Sequence, residues 1–231
     1  LWMAGEQIHS NSEPCNLAQN GPNGCTPFLL SEDGLDGHPI RDLVVARDVA
    51  MFLDALGRVW QWGRIDTSTT ILDQPELLDL APLGGARVVG IGISQEDNSR
   101  PPAFFVQDEN GYVWARGTNS NFVLGTGNIG TAFEEEFQRV AFPDNAGRIL
   151  EIAATADYVL ALDENHCFWA WGRDFNGTDP ASPFLGTPFQ FWMPVSALHQ
   201  FSSPGCPVST PPVIVSEPAR VASTAEPYSY Q

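Results

Sequence analysis

The sequence predicts an all-β fold, a β-propeller with about four blades. A hairpin pattern, two apolar strands around a tight Asp/Gly/Asn turn, occurs at residues 52–63, 105–117 and 161–172. A tryptophan marks the same place in each repeat: Trp2, Trp60, Trp114 and Trp169. These tryptophans lie 58, 54 and 55 residues apart, which is the period of a propeller blade or slightly longer. One hairpin cannot bury its aromatic face, whereas sheets arranged around an axis cover one another.

The other elements of a blade follow in chain order. An inner strand of small and β-branched residues precedes a hairpin at 42–46, 87–92 and 148–154, and the pattern recurs at 220–223. A variable loop follows each hairpin, and such loops lie on one face of a propeller and carry interactions. We therefore expect one domain over residues 1–231, divided into a half blade at 1–30, blades at about 40–80, 86–140 and 148–198, a Pro-rich connection at 199–219 and a half blade at 220–231.

The two ends of the chain are predicted to share one blade. Residues 1–5 have the pattern of an outer strand with no hairpin before it, and residues 220–231 have that of inner strands with no hairpin after them. The two halves therefore complement each other. We expect them to pair in one sheet, either within the chain or between neighbouring chains.

Composition excludes several classes of function. The chain carries 28 acidic and 11 basic side chains, a net charge of −17, and long-range repulsion therefore disfavours nucleic-acid binding. The 43% hydrophobic content supplies a core, and no apolar run approaches the length of a membrane span. The acidic surface either keeps the protein dispersed, which we favour, or docks a cationic partner or Ca²⁺.

The four cysteines favour an extracellular or cell-surface location. Cys15 and Cys25 enclose a segment with no strand or helix pattern, and a disulfide between them would close that loop at small entropic cost. A zinc site is the competing interpretation, but the spacing is not that of a metal finger. Cys167 and Cys206 can pair only if the tail folds back across the last blade. Disulfides indicate an oxidising compartment, and the start at Leu1 indicates a mature product or a piece of a longer protein.

Three residues are candidates for modification or partner contact. Asn176 begins an Asn-Gly-Thr triplet, an acceptor for N-glycosylation in a secreted protein. Phe191 and Trp192 form an aromatic cluster in a long loop, which is either a binding hot spot or a lid over the last blade. The tryptophans of the repeats, by contrast, are predicted to pack in the core.

The sequence shows no pattern for catalysis, a cofactor or a metal. Residues 125–130 have Gly-x-Gly-x-x-Gly spacing but follow a loop rather than opening a helix after a strand. Residues 31–38 hold carboxylates beside glycines, yet they lack the alternating ligands of a calcium loop, and a polar turn is favoured. The glutamates at 134–136 are interpreted as a solvated run, with cation or partner contact as the alternative. The scattered histidines have no nucleophile partner in sequence, so we expect no enzyme activity.

The second repeat resembles that of the RCC1 (regulator of chromosome condensation) family of β-propellers. The matching residues are Trp114, Gly117, Asn119, Leu124, Gly125 and Gly127. The resemblance covers about residues 42–186 and implies the propeller fold. Arg116 departs from the family's usual Trp, the common Gly-Gly-x-His signature is missing, and about four repeats stand where the family typically closes seven blades. The resemblance then implies an arc completed by other chains, a piece of a larger propeller, or a compact ring closed by its own split blade.

These features support two hypotheses about function. The first is a non-enzymatic, secreted propeller that acts as a protein-interaction or structural module and assembles head to tail through strand complementation of the split blade. The alternative, implied by the resemblance, is a closed propeller that binds a separate protein through its loop face, as an enzyme inhibitor or small-GTPase regulator. Both hypotheses expect a protein partner, and the first includes copies of the chain itself. A catalytic or sugar-binding function has only the aromatic loops in its favour.

Overall fold

The structure, a computed structural model, describes residues 2–3, 28–29, 35–66, 72–95, 100–130, 133–156, 158–173 and 186–190. Within these ranges the chain forms β-strands and two single-turn 3-10 helices. The strands are β1 (Trp2–Met3), β2 (Phe28–Leu29), β3 (Ile40–Val45), β4 (Val49–Asp54), β5 (Val59–Gly63), β6 (Leu72–Leu77), β7 (Val88–Ser94), β8 (Ala103–Asp108), β9 (Val113–Thr118), β10 (Phe133–Arg139), β11 (Ile149–Ala154), β12 (Tyr158–Asp163), β13 (Phe168–Gly172) and β14 (Phe189–Gln190). The prediction of an all-β chain is confirmed.

The strands form three four-stranded sheets, each in simple chain order. Blade 1 is β3-β4-β5-β6, blade 2 is β7-β8-β9-β10, and blade 3 is β11-β12-β13-β14. All neighbouring strands are antiparallel, and each connection returns the chain beside the strand it has left. Strands β1 and β2 form a separate two-stranded sheet, the N-terminal pair.

The repeated tryptophan occupies the same place in the register of every sheet. The residues that pair across from Trp60, Trp114 and Trp169 in the fourth strand are Leu77, Arg139 and Gln190. In the N-terminal pair, Trp2 lies across from Leu29 in the same way. The N-terminal pair therefore repeats the pairing of the third and fourth strands of a blade. Its predicted completion by residues 220–231 lies outside the described residues.

The blades pack face to face through the middle strands. Every residue of β4 and of β8 is buried, so these strands have near-continuous apolar sequences rather than alternating ones. Phe104 and Phe105 are fully buried on opposite faces of β8. Phe104 packs with Met51 between blades 1 and 2, and Phe105 packs with Trp171 between blades 2 and 3. Full burial of each such side chain contributes roughly 1.5–3 kcal/mol, so blade 2 is held from both sides.

A buried aspartate shapes the hairpin between the second and third strand of each blade. One carboxylate oxygen accepts two backbone N–H groups, from Leu56 and Arg58 in the case of Asp54. Asp108 and Asp163 make the same pair of bonds, at 2.9–3.0 Å. A carboxylate that bonds its own turn in this way fixes a tight hairpin, which explains the recurrence of Asp at this position.

An arginine crosses from each following blade over the preceding hairpin. Arg87 Nη2 donates to the carbonyl of Ala55 at 2.7 Å, and Arg148 Nη2 donates to that of Glu109 at 2.5 Å. The hairpin residue beneath each arginine is a glycine with positive φ: Gly57 and Gly111. A Cβ there would lie 2.4 or 2.2 Å from the arginine Cγ, so the neighbouring blade requires glycine at a turn position that already favours it.

Candidate functional site

The carboxylates at the hairpin end of the blades accept hydrogen bonds from neighbouring strands. The second oxygen of Asp108 accepts the indole N–H of Trp114, and that of Asp163 accepts the indole N–H of Trp169, both at 3.0 Å. The hairpin aspartates are fully buried or nearly so. Since both oxygens already accept donors, these carboxylates anchor the strands of each hairpin.

Blade 1 uses an arginine where the other blades use an indole. Arg58 Nε donates to Asp54 Oδ2 at 2.6 Å, and Trp60 Nε1 has no hydrogen-bond partner among the described residues. Burial on its own would raise the pKa of Asp54, but hydrogen bonds from Arg58 and Leu56 outweigh it and hold the pKa below the ordinary 3.8. The guanidinium also pairs with Asp36 at 2.8 Å. Asp36 belongs to the segment considered for Ca²⁺, and here it pairs with a cationic side chain.

The loop end of blade 2 is organised by Asn119, whose side chain is fully buried. Its Nδ2 donates to the carbonyls of Asn128 and Gly130 at 2.8 and 2.6 Å, and its Oδ1 accepts the N–H of Leu124 at 3.1 Å. A Cβ at Gly125 would lie 2.6 Å from Nε1 of Trp171 in the next blade. The glycine-rich spacing at 125–130 therefore serves a loop that packs beneath the neighbouring tryptophan.

Arg116 occupies the position that Trp62 and Trp171 hold in the other two blades. Its guanidinium lies over the rings of Phe104 and Phe137, at 5.1 and 5.5 Å, and donates to Gln61 Oε1 at 2.6 Å. Burial lowers the pKa of Arg116, and Asp66 and Asp79 partly oppose that shift. This departure from the family pattern places a charged group between blades 1 and 2.

A second polar contact joins the same two blades at the loop end. Asp48 is almost completely buried, and its Oδ1 accepts Gln95 Nε2 at 2.5 Å. Arg64 Nε lies 2.9 Å from Asp48 Oδ2, within ion-pair distance. Buried polar groups of this kind need partners, and the bond from Gln95 to Asp48 crosses the boundary between blades, whereas Arg64 belongs to blade 1.

The structure bears on only part of the predicted site. Five of the residues singled out lie outside the described residues, so the predictions made for them stay predictions: Cys15, Cys25, Asn176, Phe191 and Trp192. Cys167 is disulfide-bonded, and its partner lies outside the described residues. Of the glutamate run, Glu134 accepts Asn128 and Gln138, whereas Glu135 and Glu136 are exposed.

The predicted core role of the repeated tryptophans is confirmed by their surroundings. Trp60 and Trp169 are buried and Trp114 is half-buried. Trp114 and Trp169 pack in clusters between neighbouring sheets, and Trp60 packs with Phe52 on the face of blade 1 that points away from blade 2. Their hydrogen bonds to the hairpin aspartates were not predicted. The constant six-residue spacing from Asp108 to Trp114 and from Asp163 to Trp169 is the signal in the sequence that could have revealed them.

Metal sites and membrane-spanning helices are absent from the described ranges. There, no group of three or more His, Cys, Asp or Glu side chains is placed to hold a metal ion. The helices of that part of the chain are single turns, and none has the length and apolarity of a membrane span.

Comparison with known proteins finds similarity in structure rather than in sequence. No family model and no curated protein matches the chain. Human WBSCR16 is similar with a TM-score of 0.56 and 15% identity, over 72% of this chain and 41% of that protein. Yeast RCC1 (Prp20), in its complex with Kap60, is similar with a TM-score of 0.53 and 12% identity, over 74% of this chain and 39% of that protein. The chain thus spans about two fifths of the length of these neighbours.

The stacked antiparallel sheets define a β-propeller repeat protein. Its blades are RCC1-like, as the similarity to human WBSCR16 and to yeast RCC1 shows at the level of the fold. The predicted fold class and the predicted resemblance are therefore confirmed. At these identities the comparison establishes the fold and leaves activity and partners to be argued from the residues.

Proposed function

We propose that the chain is a non-enzymatic protein-interaction module that acts outside the cell and assembles through its first blade. The observation that carries the proposal is a pair of exposed apolar side chains on the inner strand β3, beside Phe52 and Trp60, which are buried on the same face. Leu43 and Val45 are 42% and 53% exposed there. Val44, between them, packs toward blade 2, so the two exposed side chains point away from blade 2.

The register identifies what should cover this face. Counted from the repeated tryptophan, Leu43 and Val45 correspond to Ile91 and Ile93 in blade 2. Those isoleucines are only 5% and 7% exposed, because blade 1 packs against them. At its inner strand, blade 1 therefore exposes two positions that blade 2 buries against a neighbouring blade, and this supports a missing neighbour beside β3.

The occupant we propose is the segment 220–231. It begins Arg-Val-Ala-Ser, a pattern like those at the inner strands β7 and β11, and the N-terminal pair resembles the outer half of a blade. A neighbouring copy that supplied this segment would complete the sheet and continue the assembly, as strand complementation does elsewhere.

Light scattering coupled to size exclusion tests this assembly. We expect the full chain to form oligomers, and we expect both deletion of 220–231 and the double change Leu43→Ser, Val45→Ser to reduce the particle mass. Leu77→Ser is the matched control, since Leu77 is 52% exposed on the outer strand β6 and should leave the mass unchanged. A full chain that stays monomeric across concentrations contradicts self-assembly.

Two observations support the remaining parts of the proposal. The disulfide at Cys167 fits an oxidising compartment. The hairpin carboxylates, with both oxygens occupied, fit a structural rather than a catalytic role. Localisation of the full-length protein by fractionation checks the first point, and detection of the protein only in the cytoplasm would contradict it.

The second candidate function is a propeller that binds a separate protein, as an enzyme inhibitor or GTPase regulator. It is favoured by one neighbour, yeast RCC1, whose structure was determined bound to Kap60. A pull-down with Trp192→Ala tests the loop face, and nucleotide exchange on small GTPases tests the regulator. Loss of a partner with Trp192→Ala, in a particle whose mass does not change, would favour this function over assembly.

A further inference from the structure

A cleft opens at the hairpin end of the propeller, between blades 2 and 3. Its volume is about 620 Å³, which lies within the range of ligand-binding pockets. It is lined by the blade 2 hairpin, residues 110–113, and by the connection from β10 to β11, within residues 139–149. The lining includes two arginines, Arg139 and Arg148, and one acidic residue, Asp144. The cleft is thus locally positive on a chain whose net charge is −17.

Arg139 lies over the ring of Tyr112 and keeps its N–H groups available to a ligand. Its guanidinium carbon lies 3.5 Å from the centre of the Tyr112 ring. Throughout the described ranges it makes no hydrogen bond or ion pair through its side chain, and Arg148 uses Nη2 for the Glu109 carbonyl. Stacking on an aromatic face leaves the in-plane N–H groups of an arginine directed outward, in the fork that matches a carboxylate.

Comparison among the repeats indicates that the fold does not require this pair. Tyr112 follows its hairpin aspartate by four residues, and the residues at that position in the other blades are Arg58 and Cys167. Arg139 lies across from the repeated tryptophan, where the other blades have Leu77 and Gln190. Three blades of the same architecture therefore form with three different pairs. Among the described blades, only blade 2 stacks an arginine of its fourth strand on the residue that follows the hairpin aspartate by four.

We propose that this cleft binds a single carboxylate carried by a peptide of a partner protein. Arg139 would take the carboxylate, with Arg148 nearby, and the apolar part of the peptide would contact Tyr112, Phe142 and Pro143. A polyanion is disfavoured, because the net charge of the chain repels it. The peptide source rests on the proposed protein-interaction function, whereas the binding chemistry is a property of the cleft alone.

Hippurate and its neutral amide, hippuramide, are the probes for this cleft, because they share an aromatic ring and a peptide bond and differ only in the carboxylate. Calorimetric titration of the full chain should show saturable hippurate binding, with hippuramide weaker by about tenfold or more. Arg139→Gln should weaken hippurate by a similar factor, and Tyr112→Leu should weaken it by about threefold. Arg41→Gln, an equal charge change on exposed β3, is the control and should change binding by less than about twofold.

Three results would overturn the proposal. They are no saturable hippurate binding, equal binding of the two probes, and binding unaffected by Arg139→Gln. Circular dichroism of each variant confirms that the blades are folded. Light scattering separates this proposal from the proposed function: hippurate binding by a chain that has no partner and does not assemble contradicts the function alone, and assembly without hippurate binding contradicts the cleft alone.

Discussion

The two junctions between successive blades solve the same packing problem with different chemistry. At the junction of blades 2 and 3, Trp171 is fully buried, packs edge-on against Phe105 and Phe142, and donates its indole N–H to Val123 at 2.7 Å. At the junction of blades 1 and 2, the same position holds Arg116, paired with Gln61. A propeller junction thus tolerates a cation where an aromatic residue is usual, provided that rings and a polar partner surround it.

This difference leads us to expect that the two junctions differ in stability. The Trp171 junction gains from apolar burial with its single polar atom satisfied. The Arg116 junction loses hydration of a charge and leaves the Nε–H of Arg116 without a partner among the described residues. We expect the boundary between blades 1 and 2 to open before the boundary between blades 2 and 3 under denaturant.

The largest effect on stability should follow from removing the tryptophan at the junction of blades 2 and 3. We expect Trp171→Ala to lower the free energy of unfolding by about 3–5 kcal/mol, since it removes a buried indole and leaves a cavity. Urea unfolding followed by circular dichroism measures this. Phe168→Ala, a change to a 39% exposed residue on the same strand, is the control and should cost less than about 1 kcal/mol. Equal losses for the two variants would contradict the assignment of Trp171 to the junction.

At the junction of blades 1 and 2, changing both polar residues should cost less stability than changing Arg116 alone. Arg116→Met leaves the Gln61 oxygen without its donor, and Arg116→Met with Gln61→Met removes both polar groups together. We expect the double variant to be more stable than the single variant by about 1–3 kcal/mol. The same unfolding assay measures the difference. A double variant less stable than the single one would contradict the cost assigned to an unpaired Gln61.

Blade 1 should also be the acid-sensitive blade. The pKa of Asp54 is held below the ordinary 3.8, so its stabilising effect is present above that pH and is lost as the pH falls through the lower, folded-state value. We expect unfolding measured between pH 5 and about pH 2 to show this loss, and Asp54→Asn to flatten that part of the profile. An unchanged slope in Asp54→Asn would assign the acid sensitivity to other carboxylates.

The smallest effect concerns the third hairpin. His166 has a φ of 61°, in the place where Gly57 and Gly111 stand in the first two hairpins. We expect His166→Gly to raise the free energy of unfolding by roughly 0.5–1 kcal/mol through relief of left-handed strain, partly offset by chain entropy. Gly111→Ala, the reciprocal change, should lower it, because the new Cβ meets Arg148. Thermal unfolding of both variants checks the pair, and changes of the same sign would contradict this explanation.

The third hairpin differs from the first two at the position that the arginine of a following blade would cross. A Cβ at its turn occupies the space through which Arg87 and Arg148 cross the first two hairpins. An arginine at the start of a following blade, such as Arg220, would have to take a different path over His166. The exit from blade 3 therefore differs locally from the two junctions before it.

The sequence predicted the parts of this fold that repeat. Apolar strands around a tight Asp/Gly/Asn turn and the recurring tryptophan depend on local rules, and they identified the three hairpins and the core role of Trp60 and Trp169. The consensus of the RCC1-like loop likewise marked Asn119 and Gly125, and the structure supplies its reason in the packing beneath Trp171.

The features that the sequence did not predict depend on contacts between separate segments. Tyr112 and Arg139 are distant in sequence, and their stacking requires the register of β9 with β10, which contains a bulge. The crossing arginines appear in the sequence only as the first residues of inner strands, and their carbonyl acceptors lie in the preceding blade. No local pattern encodes such a partner, because backbone carbonyls carry no residue identity.

A cross-link between inner strands tests the stacking of blades most directly. A Cβ placed on Gly92 of β7 would lie 3.4 Å from the Cβ of Ala154 on β11, close to the separation of a disulfide. Mass spectrometry of the non-reduced double variant Gly92→Cys, Ala154→Cys should find a bridge between positions 92 and 154 in most molecules. The control pair, Gly92→Cys with Ala153→Cys, places its second cysteine on the opposite face of β11. Absence of the 92–154 bridge, or equal bridging in the control pair, would contradict blades stacked in this order.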